Sequence, residues 1–231
     1  VTSRASRRGP AVAAILATLA AIALSIAYLD RPLAYWAHGL DPGFIAICAR
    51  LTLLGDSKWY LVPLGLAVPA LYLAAARSPD PSRAAALRRM MWTSVFLFAA
   101  IAVSGLLVDL LKIVFGRARP ILLFREGDAA WHFFSLKPKL HGFPSGHANT
   151  FVALAFALGL LRRRFLFPLL VLAALLSLTR IAVAEHYLSD LIAGGGLAIA
   201  TTLWLRGVFA RRGLVFQRAD EGVAGARRIA H

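Results

Sequence analysis

The chain has 231 residues, of which 59% are hydrophobic and 16% charged, against roughly 25% charged in ordinary globular domains. That deficit excludes a soluble globular class and implies a membrane protein. The net charge of +15 does not point to nucleic acid, because the arginines stand between apolar runs and form no continuous basic groove. A lone cysteine, Cys48, excludes an intramolecular disulfide and any site built on two or four cysteines.

In chain order, a basic segment (1–10) precedes an apolar run, Ala11–Tyr28, read as an uncleaved first span that ends at Asp30-Arg31-Pro32. Phe44–Leu54, interrupted by Arg50, is short and reads as an interfacial or re-entrant helix. Trp59–Ala76 is the second span, with Pro63 and Pro69 inside it, and 77–89 reads as a polar, arginine-rich loop. Met90–Val108 is the third span and runs on through Asp109 and Lys112. A long connection over 115–143, rich in Gly, Pro and aromatics, separates it from three shorter apolar runs: 148–161, 165–179 and 191–205. Long loops of this kind are often functional. A basic, frayed tail is expected over 207–231. The prediction is therefore an all-α, polytopic membrane bundle of six transmembrane helices, with one interfacial helix and a long active-site loop, in a single domain spanning 1–231.

The three later runs hold 14, 15 and 15 uncharged residues, or about 21–23 Å of helix, against ~30 Å of hydrocarbon. Polar residues must complete each span, which puts His147, Arg180, His186 and Asp190 at lipid-headgroup depth. Orientation follows from the basic residues. Sixteen of the 26 lysines and arginines lie before Ala11, at 77–89, at 162–164 and from Arg206 on. Both termini are then expected on the cytoplasmic side and the polar clusters on the outer, periplasmic face of the cytoplasmic membrane.

Three clusters interrupt the apolar pattern: Lys112-Ile-Val-Phe-Gly-Arg-Ala-Arg119-Pro120, Pro144-Ser145-Gly146-His147, and Arg180 followed by His186 and Asp190. Ser145 and Gly146 open an apolar helix whose free N–H groups suit an anion; an ordinary helix cap explains the same residues. His186 and Asp190 are four apart and share a face if helical. A carboxylate bonded to one imidazole nitrogen leaves the other as a nucleophile; the alternative is a structural polar network at a helix end. Lys112, Arg119 and Arg180 supply cations for a phosphoryl group, although lysine snorkelling and a solvated loop account for single members, Arg117 included. Asp109 is placed to pair with Lys112. Glu185 is expected to face away from the cluster. His38, His132 and His141 read as loop histidines, and Phe115, Trp131, Phe133 and Phe134 suit either an acyl groove or an interfacial belt.

Taken together, K-x6-RP, PSGH and R-x5-H-x3-D resemble the motifs of the type-2 phosphatidic acid phosphatase family of membrane lipid phosphatases, a pattern shared with vanadium-dependent haloperoxidases. All three occur in order, and one position departs: Thr179 stands where that family usually has serine, retaining the hydroxyl. The resemblance implies a lipid phosphate or pyrophosphate substrate, among them phosphatidic acid, undecaprenyl pyrophosphate, phosphatidylglycerol phosphate and lipid A-type phosphates. It also implies His186 as nucleophile oriented by Asp190, and His147 as acid and then base. Lys112, Arg119, Ser145, Gly146 and Arg180 would hold the phosphoryl oxygens, with no metal and no cofactor. Membrane lipids are the expected surroundings, and no sequence feature specifies an oligomer. The competing expectations are a lipid phosphotransferase, which would pass the phosphoryl group to an acceptor lipid, and a non-enzymatic lipid transporter or channel.

Overall fold

The computed structural model describes residues 8–216, so most of the two predicted basic tails lies outside the described residues. Helix α1 (Arg8–Leu24) passes through one π-helical turn (Ser25–Leu29) into α2 (Asp30–His38). After α3 (Pro42–Leu51) and a 3₁₀ turn (Thr52–Gly55) come α4 (Lys58–Arg77) and α5 (Pro81–Phe115). The short α6 (Pro120–Glu126) lies in the long connection. It is followed by α7 (Gly146–Leu161), α8 (Leu166–Ala182) and α9 (Leu188–Arg211). Among the described residues the extended pairing is confined to a single bridge between Arg117 and Trp131.

Among the described residues, five helical segments are long and apolar enough to cross a membrane: Gly9–His38, Pro42–Arg77, Pro81–Phe115, Arg163–Ala182 and Leu188–Arg211. Helix α7 is apolar but shorter, with 16 residues. It packs against α5, α8 and α9, while α4 lies along α5 and α1 along α9. Small residues mark these contacts, as in Ala153 and Ala198 beside Ile101, which lets helices approach where lipid supplies no hydrophobic drive. Large side chains such as Leu66, Leu106, Phe167 and Leu175 point outward, as expected of a surface solvated by acyl chains.

Three boundaries differ from the sequence reading. The first helix does not stop at Asp30-Arg31-Pro32. Proline removes one ladder bond, and the helix instead widens: the Asp30 N–H donates to Ser25 O, five residues back. Asp30 is then buried at 2% exposure with partners of its own. Nor is 77–89 a loop. The Asp80 side chain accepts the Ser82 N–H at 2.9 Å with Pro81 in the first turn, and this strong N-cap starts α5 nine residues before Met90. At the other end, the expected tail from 207 is still helical to Arg211, and Phe216 packs on Phe96 at 5.0 Å between ring centroids. Helix α3 with its 3₁₀ turn matches the short helix expected over 44–54.

The long connection is more ordered than loop composition suggests. Gly116, at φ 54°, closes α5 by donating its N–H to Lys112 O. The chain then doubles back, with Ala118 N–H on Ala130 O at 3.0 Å and His132 N–H on Gly116 O at 2.8 Å. Phe115, Trp131 and Phe143 pack edge to face beneath it, at 5.1–5.9 Å, whereas Phe133 and Phe134 are exposed.

Candidate active site

All three sequence clusters meet at one end of the bundle: the C-terminal end of α5, the N-terminal end of α7, and the α8–α9 turn. Ser145, fully buried, is the N-cap of α7 and accepts the Ala148 N–H at 3.4 Å, leaving its own O–H to donate. Its backbone N–H donates to Asp190 O at 3.0 Å, which joins the second cluster to the third. Gly194 permits that contact, since a Cβ there would stand 2.3 Å from Ser145 O. Lys112 reaches the same loop: its Nζ lies 3.2 Å from where a Gly146 Cβ would be. It is also paired with Asp109 at 3.1 Å, as the spacing predicts. The His147 ring lies against Gly55, within electrostatic reach of Arg180, His186 and Lys112.

His186 is not on a helix. It precedes Tyr187, the N-cap of α9, in a turn where Ala184 adopts φ 54°, a conformation costing about 1–2 kcal/mol for a residue with a Cβ. The Ile121 N–H on Ala184 O at 3.0 Å holds that turn. The His186 Nδ1 is 2.7 Å from Gly142 O. A carbonyl only accepts, so Nδ1 carries the proton and Nε2 keeps its lone pair. Gly142 allows this approach because its N–H donates to Arg117 O at 2.9 Å, where a Cβ would stand 2.8 Å from that oxygen. Burial first, then the Arg180 and Arg119 charges, holds the His186 imidazole well below the ordinary histidine value. The ring is therefore a neutral base.

The expected His186–Asp190 hydrogen bond is replaced. Asp190 Oδ2 lies 3.5 Å from Nδ1, long for a hydrogen bond, and instead accepts the Tyr187 N–H at 2.7 Å. Its other oxygen takes Arg117 Nη1 at 2.5 Å. The reason is that α9 begins only at Leu188, so Asp190 serves its first turn and His186 lies outside the helix.

Arg117 is far from a solvated loop residue. It is 4% exposed, bonds Asp190, Asp30 (2.7 Å) and Ser189 (2.6 Å), and stands 4.8 Å from the Trp131 ring and 4.3 Å from the Tyr187 ring. Burial pulls its guanidinium down, but Asp190 and Asp30 outweigh burial and leave it above the ordinary arginine value. Asp30 also accepts Ser189 N–H (3.0 Å), Ser189 Oγ (2.5 Å) and Ser25 Oγ (2.9 Å). The sequence carried one signal for this: Asp30 and Arg117 are charges at the ends of apolar helices, where an unpaired ion is costly.

Arg119 and Arg180 form the other polar layer. Both donate to Glu185 Oε2, Arg119 by a short contact and Arg180 at 3.4 Å. Glu185 thus faces into the cluster, contrary to the sequence expectation, because the turn is not helical. Arg180 also donates to Thr52 Oγ1 at 3.1 Å, and Thr179 turns its hydroxyl to Leu176 O. The Nε atoms of Arg119 and Arg180 are buried without a hydrogen-bond partner among the described residues. His132 pairs with Asp128 at 2.8 Å, His141 bonds Ser135 O at 2.9 Å, and His38 stacks on Phe124; none takes part in the cluster. Among the described residues, no three His, Cys, Asp or Glu side chains gather as metal ligands would.

The family model of the PAP2 superfamily matches residues 93–214. The chain is 35% identical over 226 residues to a lipid A 1-phosphatase of Rhizobium etli, covering 94% of this chain and 93% of the relative. It is 35% identical over 222 residues to a lipid A 1-phosphatase of Rhizobium johnstonii, covering 94% and 88%. The fold resembles a crystal structure of a transmembrane PAP2 type phosphatidylglycerolphosphate phosphatase from Bacillus subtilis, with TM-score 0.59 at 17% identity over 87% of this chain and 96% of that one. It also resembles Aquifex aeolicus LpxE, with TM-score 0.54 at 18% identity over 78% and 95%.

Proposed function

Since the chain belongs to the PAP2 superfamily and is a multi-pass membrane lipid phosphatase, we propose that it dephosphorylates a lipid A 1-phosphate-type glycolipid through a phosphohistidine on His186. The substrate class rests on the similarity to two lipid A 1-phosphatases along nearly the whole chain. The chemistry rests on one observation, the 2.7 Å contact of His186 Nδ1 with Gly142 O, which leaves Nε2 neutral and free to attack.

Nε2 attacks phosphorus, and the bond from phosphorus to the lipid oxygen breaks. His147 gives its proton to that leaving oxygen. It then takes a proton from water, whose oxygen attacks phosphorus as the P–N bond breaks, releasing orthophosphate and restoring His186. Lys112, Arg119 and Arg180, with the Ser145 hydroxyl and the Gly146 N–H, neutralise the phosphoryl oxygens. Phosphoryl transfer needs mainly this positioning and charge, so no metal is required and activity survives chelators. Asp190 fixes the turn that carries His186 through the Tyr187 N–H.

The test is phosphate release from a panel of 1-phosphorylated lipid A, phosphatidylglycerol phosphate and phosphatidic acid. The first is expected to be the preferred substrate. His186→Ala is expected to lose more than about 10³-fold in turnover, in line with removal of a covalent nucleophile, and to lose the acid-labile label that ³²P-lipid leaves on the wild type. Retained turnover would refute the nucleophile.

The same proposal has α7 as a sixth crossing, both termini in the cytoplasm, and the site on the periplasmic face of the cytoplasmic membrane. Arg88 and Arg89 of α5, Arg162–Arg164 after α7, and Arg212 after α9 support this, lying at helix ends opposite the site. Cys48 is buried, so cysteines introduced at Lys137 and Ser82 can be told apart. An impermeant maleimide on intact cells should label the first alone.

A further inference from the structure

Two members of the phosphate cluster are held from a segment outside the stretch that the family model matches, 93–214. That segment is the 3₁₀ turn Thr52–Gly55, which follows α3, leads toward α4 and packs on both α7 and α8. A 3₁₀ turn has three residues per turn, so side chains at i and i+3 lie along one edge. Thr52 and Gly55 therefore share an edge, and both are buried, while Leu53 and Leu54 between them are exposed. Helix α3 lies along α8 with Cys48 buried one turn before Thr52, which fixes where this edge meets the cluster.

Thr52 meets Arg180. Its Oγ1 accepts Arg180 Nη1 at 3.1 Å, and the other terminal nitrogen of the same guanidinium reaches Glu185 Oε2 at 3.4 Å. The two acceptors differ in kind. Glu185 offsets the charge of the guanidinium and must yield to a phosphate. A hydroxyl oxygen carries no charge, so it fixes the plane of the fork and leaves the cation whole. A guanidinium aimed in this way is ready for two-point contact with a phosphoryl group. One that is free to rotate loses that freedom on binding, at a cost in affinity.

Gly55 meets His147. A Cβ on Gly55 would stand 2.6 Å from His147 Cδ2 and 2.9 Å from two atoms of the Phe151 ring. Phe151 follows His147 by four residues in α7, so the two rings share a face of that helix and rest on the glycine together. Any larger residue at 55 displaces the imidazole. We propose that the Thr52–Gly55 turn is a positioning element of the active site: Thr52 aims Arg180 at the phosphate, and Gly55 sets the place of the His147 ring beside the leaving oxygen. The assignment rests on the roles given above to Arg180 and His147. It adds two residues that none of the three motifs contains.

The experiment measures two things in detergent: orthophosphate affinity, from the rise that phosphate causes in each variant's own thermal midpoint, and turnover of 1-phosphorylated lipid A. Thr52→Val keeps the shape and removes the hydroxyl. Orthophosphate should bind about three- to tenfold more weakly, one hydrogen bond's worth, with kcat/KM lower by the same factor. Thr52→Ser should bring both back to within twofold of wild type. If Thr52 only packs α3 on α8, serine, which lacks the methyl group, lowers the midpoint at least as far as valine does and phosphate affinity does not move; that pattern overturns the proposal. Gly55→Ala should lower kcat about 10–100-fold, part of what a general acid supplies, with orthophosphate affinity within twofold. Equal loss of both, or loss of neither, overturns the role of the glycine. Thr52→Val adds no atom to the packed turn, so it decides the proposal even where Gly55→Ala lowers the folded yield. A wild type that binds no orthophosphate overturns the cluster and this assignment together. A wild type that binds orthophosphate but releases none from 1-phosphorylated lipid A overturns the proposed substrate alone, since the affinity comparison at Thr52 does not use it.

Discussion

Arg117 and Arg119 are two residues apart and meet opposite surroundings. Arg117 is 4% exposed, bonded to two buried aspartates and flanked by two aromatic rings. Arg119, with 27% of its side chain exposed, shares the single carboxylate of Glu185 with Arg180. The inner layer sets one cation against two carboxylates, with both Asp30 oxygens satisfied. The outer layer sets three cations, Lys112, Arg119 and Arg180, against Glu185 and a largely exposed Asp109. Its charge is incomplete without an anion. The first arrangement is closed on itself, and the second is the one that, in the proposed mechanism, the phosphate of the substrate completes.

The largest expected effect breaks the inner layer. Arg117→Met leaves Asp30 and Asp190 buried without their cation, and losing one partner of a buried pair costs about 3–5 kcal/mol. Folded yield and thermal midpoint in detergent should fall sharply; an unchanged midpoint would remove the structural role. The outer layer should behave the other way. Arg180→Lys keeps the charge but loses the fork, so kcat/KM should drop about 10–100-fold while the midpoint stays near wild type. A smaller effect goes in the opposite direction. Glu185→Gln removes the competitor of the phosphate, so inorganic phosphate should inhibit about three- to fivefold more tightly, the scale of a partly exposed ion pair. Weaker inhibition would mean that Glu185 organises the arginines more than it occupies them.

The pH dependence sharpens the same contrast. The His186 pKa is lowered by burial and by the outer arginines, so the imidazole proposed as nucleophile stays neutral below the ordinary value of ~6.5. The acid limb of kcat/KM that belongs to His186 should lie below pH 6.5 and move up when Arg119 is replaced by Gln. Stability has the matching sign. The unfolded chain takes up this proton first, so this contribution is lost as pH falls below about 6.5.

Much of the outer layer was legible in the sequence, because its residues sit in three short motifs at the ends of apolar runs. The spans from 58 to 77 and 166 to 182 were legible too, since hydropathy reports burial in lipid directly. The inner layer was not. Asp30 and Arg117 are 87 residues apart, and only the packing of α1 on α9 brings Asp30 to Ser189. The same packing overrode the helix-breaking signal of Pro32. The 77–89 segment was misread for a different reason: its arginines suggest solvent, while Asp80-Pro81 and the alanines that follow dictate a helix that simply continues beyond the apolar run. The turn at 183–187 hid Glu185, because spacing rules assume a helix that begins only at Leu188.

Helix α5 has a mechanical consequence. Its 35 residues make a rod of about 52 Å, longer than the ~40–45 Å of a whole bilayer with its headgroups. A rod of that length must protrude or lean, and the degree of lean follows the thickness of the surrounding lipid. Lys112 rides near its upper end, and α4 is strapped along its side. Because α5 also packs on α7 and α9, any lean carries Lys112 and Gly146 together, and the lipid thickness changes the tilt of the whole bundle before it changes the distance between them.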